Sequence, residues 1–212
     1  MSVVNYELKS ALIHATKRFM ELGCSPSGDL GDLSLRDPNT GYIYISPNAG
    51  PDIDIPNWNA ITENDVVVCD GDGNIIENWH NIIPTCESPM HFAIYKARPE
   101  CNAIVHNHSI YSSAFSIVGR DIPLALSEMR KFGHEIRCPL AFGPAGSDTL
   151  TNGVVEALGK VNRAALVRSH GAVCIGANMR EAFHVAIMLE KLAQTCILAH
   201  DLGGPCENAE KK

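Results

Sequence analysis

Positive charge is scarce in this chain. Its 212 residues hold 17 Lys and Arg against 24 Asp and Glu, a formal net charge of -7 with His neutral. No run of basic residues occurs, which argues against nucleic acid as a partner. Paired cysteine motifs are missing as well: eight cysteines are present, yet none stands in a C-x-x-C pair. Cys69, Cys101, Cys174 and Cys196 sit within apolar segments, so buried free thiols are expected in place of disulfides. The chain also lacks an unbroken apolar run of transmembrane length and an N-terminal signal-peptide pattern, and a cytoplasmic protein without membrane contact is expected. Repeats and linker-like stretches are absent too. With 45% hydrophobic residues, the length suits one domain over residues 1–212 with a full core and a loose tail from about residue 203. An acidic protein of this kind needs local positive charge to handle an anionic substrate, from a bound metal or a few placed Lys or Arg.

What is present is a readable alternation of helix and strand patterns. Leu8, Leu12, Thr16, Phe19 and Met20 recur at helical spacing and predict a first helix that ends near Gly23. A glycine-rich turn, Gly28-Asp29-Leu30-Gly31-Asp32, leads to a short strand over 33–35, and 42–45 reads as another. A Pro/Gly/Asn-rich loop follows over 46–56. Val66 to Cys69 and Ile75-Ile76, joined by Asp70-Gly71-Asp72-Gly73, predict a hairpin. Helices are expected over 88–98 before Pro99, over 110–118, from an N-cap at Ser147, and from Arg180 to about His200 with Asn178 as its cap. Further strands are expected from Ala103 and over 164–167. The pattern is a mixed sheet with helices packed on it.

The chemistry concentrates at the end of one strand. In Ala103-Ile104-Val105-His106-Asn107-His108-Ser109, two imidazoles stand two residues apart after a buried run. Residues i and i+2 of a strand share a face, so His106 and His108 would aim together at one divalent ion. His170, in Arg168-Ser169-His170-Gly171, closes a second predicted strand, and Glu87 opens a helix. Three imidazoles and a carboxylate suit Zn²⁺ or another first-row divalent ion. The competing reading of each His is a plain hydrogen bond to a backbone carbonyl, and it stands for His14, His80, His184 and His200. His91 shares the face of Glu87 at i,i+4 spacing, where it could orient the site or simply pack. Asn107 points to the opposite face, either as a strand-end hydrogen bond or as a site residue. Gly171 is expected to allow a tight turn.

Three motifs, Pro84-Thr85-Cys86-Glu87-x-x-x-His91, the His106–His108 segment and Ser169-His170-Gly171, resemble the class II, metal-dependent aldolase family in order and separation. The resemblance runs from the first helix to the last, and the family holds sugar-phosphate aldolases and epimerases. It implies a three-layer α/β/α fold around a mixed, mainly antiparallel sheet, and a homotetramer with active sites at subunit interfaces. It also implies a zinc ion on His106, His108 and His170, with Glu87 as metal neighbour and catalytic acid/base. The implied activity is that of a lyase. It would cleave a ketose or hydroxy-keto acid, phosphorylated or not, through an enediolate stabilised by the ion. Two alternatives stay open: decarboxylation or epimerisation by the same family chemistry, and a non-catalytic adducin-like interaction domain. The last is disfavoured because all four metal-site residues are present.

The sequence departs from the family around phosphate. The family uses an Asn in the glycine-rich turn, a Thr-Gly loop and two serines before the acidic residue. Here the corresponding substrate-binding positions are Gly31, Asp32, Asn48, Thr85 and Cys86, with Asp32 in place of the Asn. A carboxylate repels a phosphate dianion and a thiol is a weak hydrogen-bond partner. The substrate is therefore expected to lack phosphate or to place its anionic group elsewhere, unless Asp32 only caps a turn. The family's interface Tyr also has no counterpart in residues 126–132. Glu128 falls close to that position as a second catalytic acid/base, with Arg130 or Lys131 to meet a substrate carboxylate, or else the segment is an exposed, charged helix start.

Overall fold

Period-two alternation divides the strands between two apolar cores, and this division places the site. The computed structural model describes residues 4–27, 31–48, 58, 60–204 and 207–208. Its strands are β1 (Asp32–Arg36), β2 (Ile43–Ile45), β3 (Val67–Cys69), β4 (Ile75–Glu77), β5 (Ala103–Asn107), β6 (Ala164–Val167) and β7 (Gly171–Gly176). The helices are α1 (Tyr6–Glu21), α2 (Ser88–Ala97), α3 (Ile110–Val118), α4 (Asp148–Leu158) and α5 (Met179–Asp201). One sheet carries all seven strands in the order β4-β3-β2-β1-β5-β7-β6. Leu33, Leu35, Ala103, Val105 and Cys174 join Leu12 and Phe19 of α1 and Leu189 of α5 in one core. Ile43, Ile45, Ile104 and Val173, from the opposite face, join Met90 and Ile94 of α2 and Val154 of α4 in the other. Each such side chain contributes about 1.5–3 kcal/mol on burial. The result is the three-layer α/β/α arrangement, with α2 and α4 on one face.

Local signals explain the helix starts. Asn5, Ser147 and Asn178 each accept a backbone N–H from the first turn of α1, α4 and α5. Gly119 ends α3 in the left-handed region.

Several expectations are refined. The sheet is more regular than a mixed one, because every pairing among the described residues is antiparallel. Strand β5 runs antiparallel to both β1 and β7, and β7 returns from β6 as a hairpin. Gly171 does not make a tight turn. It is paired in β7, and a Cβ there would lie 2.3 Å from the carbonyl oxygen of Asn107, so glycine is needed for close approach of two strands. Helix α5 is long and apolar enough, by length and composition, to cross a membrane. Glu190 and Lys191 interrupt its apolar run, so no unbroken one is visible in the sequence. Its buried residues, among them Ala182, Val185, Leu189 and Leu192, pack on the sheet as a core face. Cys69, Cys101, Cys174 and Cys196 are buried as expected, the first three as free thiols, whereas Cys86 is exposed. Gly28, Asp29 and Leu30 of the glycine-rich turn, residues 49–57 of the following loop, and Pro205, Cys206 and 209–212 of the tail lie outside the described residues.

Candidate metal centre

Segment 83–87 pairs with the chain just past the end of β2 and delivers Glu87. Asn48 N donates to Ile83 O (2.8 Å), Thr85 N donates to Ser46 O (3.0 Å), and Pro47 bridges to Pro84. Glu87 then occupies the N-cap of α2, yet its side chain makes no capping bond. An N-cap side chain ordinarily turns back to its own helix. This one turns instead to the end of β5, where Oε2 lies 2.9 Å from His106 Nε2 and 3.1 Å from His170 Nε2. Glu87 is 5% exposed, and its Oε1 has no hydrogen-bond partner among the described residues.

His106 lies within β5, opposite Asp32 of β1 and Val173 of β7. Its Nδ1 is 3.0 Å from the carbonyl oxygen of Ala172. Donation to that carbonyl fixes the tautomer and leaves Nε2 with a lone pair. His108 stands one residue past the strand, held by donation of its backbone N–H to Cys24 O (2.8 Å). Its Nε2 is 3.2 Å from His106 Nε2. His170 rides the three-residue loop of the β6–β7 hairpin, closed by the Val167–Gly171 pair. Ser169 in that loop takes φ +55°, and its N–H is tied to Ser116 O at 3.1 Å. A side chain held in the left-handed region stores strain of order 1 kcal/mol, a feature that clusters at functional sites.

One ligand atom from each of Glu87, His106, His108 and His170 lies within 4.8 Å of the others. A carboxylate oxygen and imidazole lone pairs at such distances repel unless a cation lies among them, either a proton or a metal ion. Electrostatics of the metal-free state follow the same logic. Burial pushes the Glu87 carboxyl up, but His106 and His170 outweigh it and hold Glu87 well below the usual carboxylate range. Burial pushes His106 down, yet Glu87 reverses this and raises it to about 9. Burial, and then His106 and His170, push His108 down to about 3. One shared proton thus does, in the metal-free chain, what a divalent ion would do better. The donor set fits such an ion: three imidazoles, one fixed by a carbonyl behind it, and a carboxylate with a spare oxygen.

The other expected site residues divide. Gly31 (φ +84°) backs onto the carbonyl of His106, where a Cβ would come within 2.7 Å. Asp32 and Thr85 are buried and bonded to each other, Thr85 Oγ1 donating to Asp32 Oδ2 at 2.8 Å. His91 Nε2 lies 2.6 Å from Asp32 Oδ1. Asn48 is half-buried, with its backbone engaged by Ile83, and Cys86 is exposed. Burial, then the carboxylates of Glu87 and Asp32, push the Cys86 thiol up. Glu128 is not brought to this cluster. It lies on an exposed 3-10 turn (Ser127–Phe132), where Lys191 Nζ donates to it at 2.9 Å and holds its carboxyl below the usual range. Lys131 bonds to His184 (3.2 Å). Asn107 faces the other core, and its Oδ1 accepts the Ser109 N–H at 3.2 Å, which settles it as a strand-end hydrogen bond. Sequence reasoning missed the Ala172 carbonyl, because β7 was not foreseen. It also missed Ser34 and Tyr95 behind His91, although Glu87, His91 and Tyr95 recur every four residues along α2.

Comparison with known proteins bears on this geometry. A model of the Class II Aldolase and Adducin N-terminal domain family matches residues 10–197. An L-fuculose phosphate aldolase of Methanococcus maripaludis is 31% identical over 175 residues, covering 82% of this chain and 88% of its own. The corresponding protein of Escherichia coli K12 is 31% identical over 190 residues, covering 89% and 81%. A solved L-fuculose 1-phosphate aldolase superposes with a TM-score of 0.88 at 25% identity, covering 98% of this chain and 93% of that one.

Proposed function

The chain belongs to the Class II Aldolase and Adducin N-terminal domain family, and from that premise we propose that it is a metal-dependent lyase, an aldolase acting on a ketose phosphate or a related hydroxy-keto compound. The observation that carries the reading is the convergence of Glu87, His106, His108 and His170 on one point with Glu87 Oε1 left free. His106, His108 and His170 would hold the ion, with Glu87 beside them. A divalent ion in that place supplies positive charge that polarises a substrate carbonyl and stabilises the negative charge left when a carbon–carbon bond breaks. Glu87 supplies the acid/base step. In the metal-free chain His106 and His170 keep its carboxyl ionised, and Oε1, without a hydrogen-bond partner among the described residues, is the oxygen left to take up a proton. His106, pinned by the Ala172 carbonyl, fixes the direction of its own lone pair and limits how far Glu87 can move.

The ion is read as zinc, from the imidazole-rich donor set. The active unit is read as a homotetramer of one class II aldolase-like domain per chain. Exposed Ile110, Ile117 and Val118 of α3 and Leu198 of α5 support association with further copies. Glu128 is assigned as a second acid/base that acts in the site of a neighbouring subunit. The buried free thiols favour a reducing compartment such as the cytoplasm. A sugar phosphate is the substrate class that the names of the relatives point to.

The test is a cleavage assay on zinc-loaded protein, with L-fuculose 1-phosphate and a non-phosphorylated ketose offered in parallel. Glu87→Gln should retain metal and lower kcat by about 10²–10⁴-fold. Unchanged turnover would remove Glu87 from the acid/base role, and absence of cleavage in the loaded parent protein would count against the lyase itself.

A further inference from the structure

Behind the metal cluster, on the same side of the sheet, lies a second group of polar side chains that the cleavage reaction does not use. Asp32 and His91 are 2% and 0% exposed, and Ser34 is fully buried. His91 Nε2 is 2.6 Å from Asp32 Oδ1, His91 Nδ1 is 2.7 Å from Ser34 Oγ, and Ser34 Oγ is 2.8 Å from the Tyr95 hydroxyl. The bonds fit one direction throughout. Tyr95 donates to Ser34, Ser34 to a neutral His91, and His91 to the Asp32 carboxylate, so every donor meets an acceptor. The other oxygen of Asp32 accepts from Thr85 Oγ1. Thr85 Oγ1 in turn accepts the backbone N–H of Glu87 at 3.3 Å.

Two facts of placement give this network a task. Asp32 is the register partner of His106 across β1 and β5. His91 and Thr85 flank Glu87, one a turn later on α2 and one two residues before it. The same Asp32 therefore ties the strand of one proposed metal ligand to the helix start of another. Backbone bonds leave Glu87 free of its usual capping duty: Ser88 N donates to Thr85 O (2.9 Å), Pro89 has no N–H, and Met90 N donates to Glu87 O (3.0 Å), so the Glu87 side chain, which makes no capping bond, turns to the imidazoles.

We propose that Asp32, His91 and Thr85 form a positioning unit that fixes Glu87 against His106, and that neither Asp32 nor Thr85 contacts substrate. This rests on the reading of Glu87 and the three histidines as a metal centre. Groups that orient a ligand from behind change ion affinity by about 10–100-fold when removed. A substrate contact would act on KM and leave ion affinity alone.

The experiment compares Thr85→Val, which keeps shape and loses the hydroxyl, with Thr85→Ser, which keeps the hydroxyl. Affinity for Co²⁺ is read from its absorption spectrum, and kcat and KM are read on whichever ketose the parent protein cleaves. Thr85→Val should bind Co²⁺ about 10-fold more weakly and lose kcat at an unchanged KM, while Thr85→Ser stays near the parent. Asp32→Asn should weaken Co²⁺ in the same direction, which keeps the test alive if the valine variant does not fold. Parental Co²⁺ affinity in the folded variants, or a raised KM with kcat intact, would overturn the positioning role and leave the metal centre standing. Failure of the parent protein to bind Co²⁺ would overturn both.

Discussion

Two carboxylate–imidazole clusters lie next to each other on the α2 face of the sheet, each built around a carboxylate paired with an imidazole. In the Asp32–His91 cluster each donor meets an acceptor, from the Tyr95 hydroxyl to the Thr85 hydroxyl. In the Glu87 cluster Oε1 has no partner among the described residues, and two imidazole nitrogens stand 3.2 Å apart. A buried polar group without a partner costs about 1–3 kcal/mol. The saturated cluster avoids that cost and so contributes to the fold. The unsaturated one carries it, and a bound cation would remove it. Residue identity alone would give both clusters the same role. Hydrogen-bond saturation separates them, and it is the ground on which ion binding is proposed for one and support for the other.

The most severe way to break this comparison is to remove a member of the unsaturated cluster. His106→Ala deletes the fully buried imidazole that touches both Glu87 and His108. It should abolish stoichiometric metal and lower kcat/KM by at least about 10³-fold, roughly 4 kcal/mol of transition-state stabilisation. Metal content by elemental analysis, set beside cleavage rates, checks this. A variant that kept one ion per chain would show that the cluster does not depend on His106.

A gentler perturbation is pH. In the metal-free protein the Glu87 carboxylate, acting against burial, raises His106 from 6.5 to about 9. A group whose folded pKa is raised stabilises the fold fully below its unfolded value. That contribution is lost as pH rises through the folded value. Metal-free stability from this pair should therefore decline between about pH 6.5 and 9. Ion binding must displace the same proton, so Co²⁺ affinity should rise by about tenfold per pH unit over that window and then level off. Thermal melts of the metal-free protein and Co²⁺ titrations across the window read the two opposite slopes. A flat affinity would mean that no proton is shared within the cluster.

Much of this contrast could be read from residues alone, and the reasons for the remainder are physical. The H-x-H spacing at His106 and His108, with His170 and Glu87, is legible because strand geometry makes i and i+2 share a face. The helices announce themselves through Asn178 and Ser147 caps and through apolar spacing. Strand β7 was illegible, because Gly171-Ala172-Val173-Cys174-Ile175-Gly176 has a glycine at each end and two small residues within. Without β7 the carbonyl that orients His106 could not be foreseen, nor the real reason for Gly171. Asp32 reads as a turn residue in sequence. Its burial against His91 depends on a partner 59 positions along the chain, and no local rule reports a partner that distant.

The smallest expected effect comes from the far end of the saturated cluster. Tyr95 is fully buried and donates only its hydroxyl to the network, at Ser34 Oγ, two hydrogen bonds away from Asp32. Tyr95→Phe removes that hydroxyl without opening a cavity. Ser34 still has His91 as a partner, so no buried group is left wholly orphaned. The loss is that of one net hydrogen bond, about 1 kcal/mol, visible as a lower melting temperature. Metal affinity should stay within about twofold of the parent, since the bonds at Asp32 and Thr85 are untouched. A larger loss of metal than of stability would mean that the saturated cluster transmits position along its whole length. The line between support and ligand binding would then fall at Tyr95 and not at Asp32.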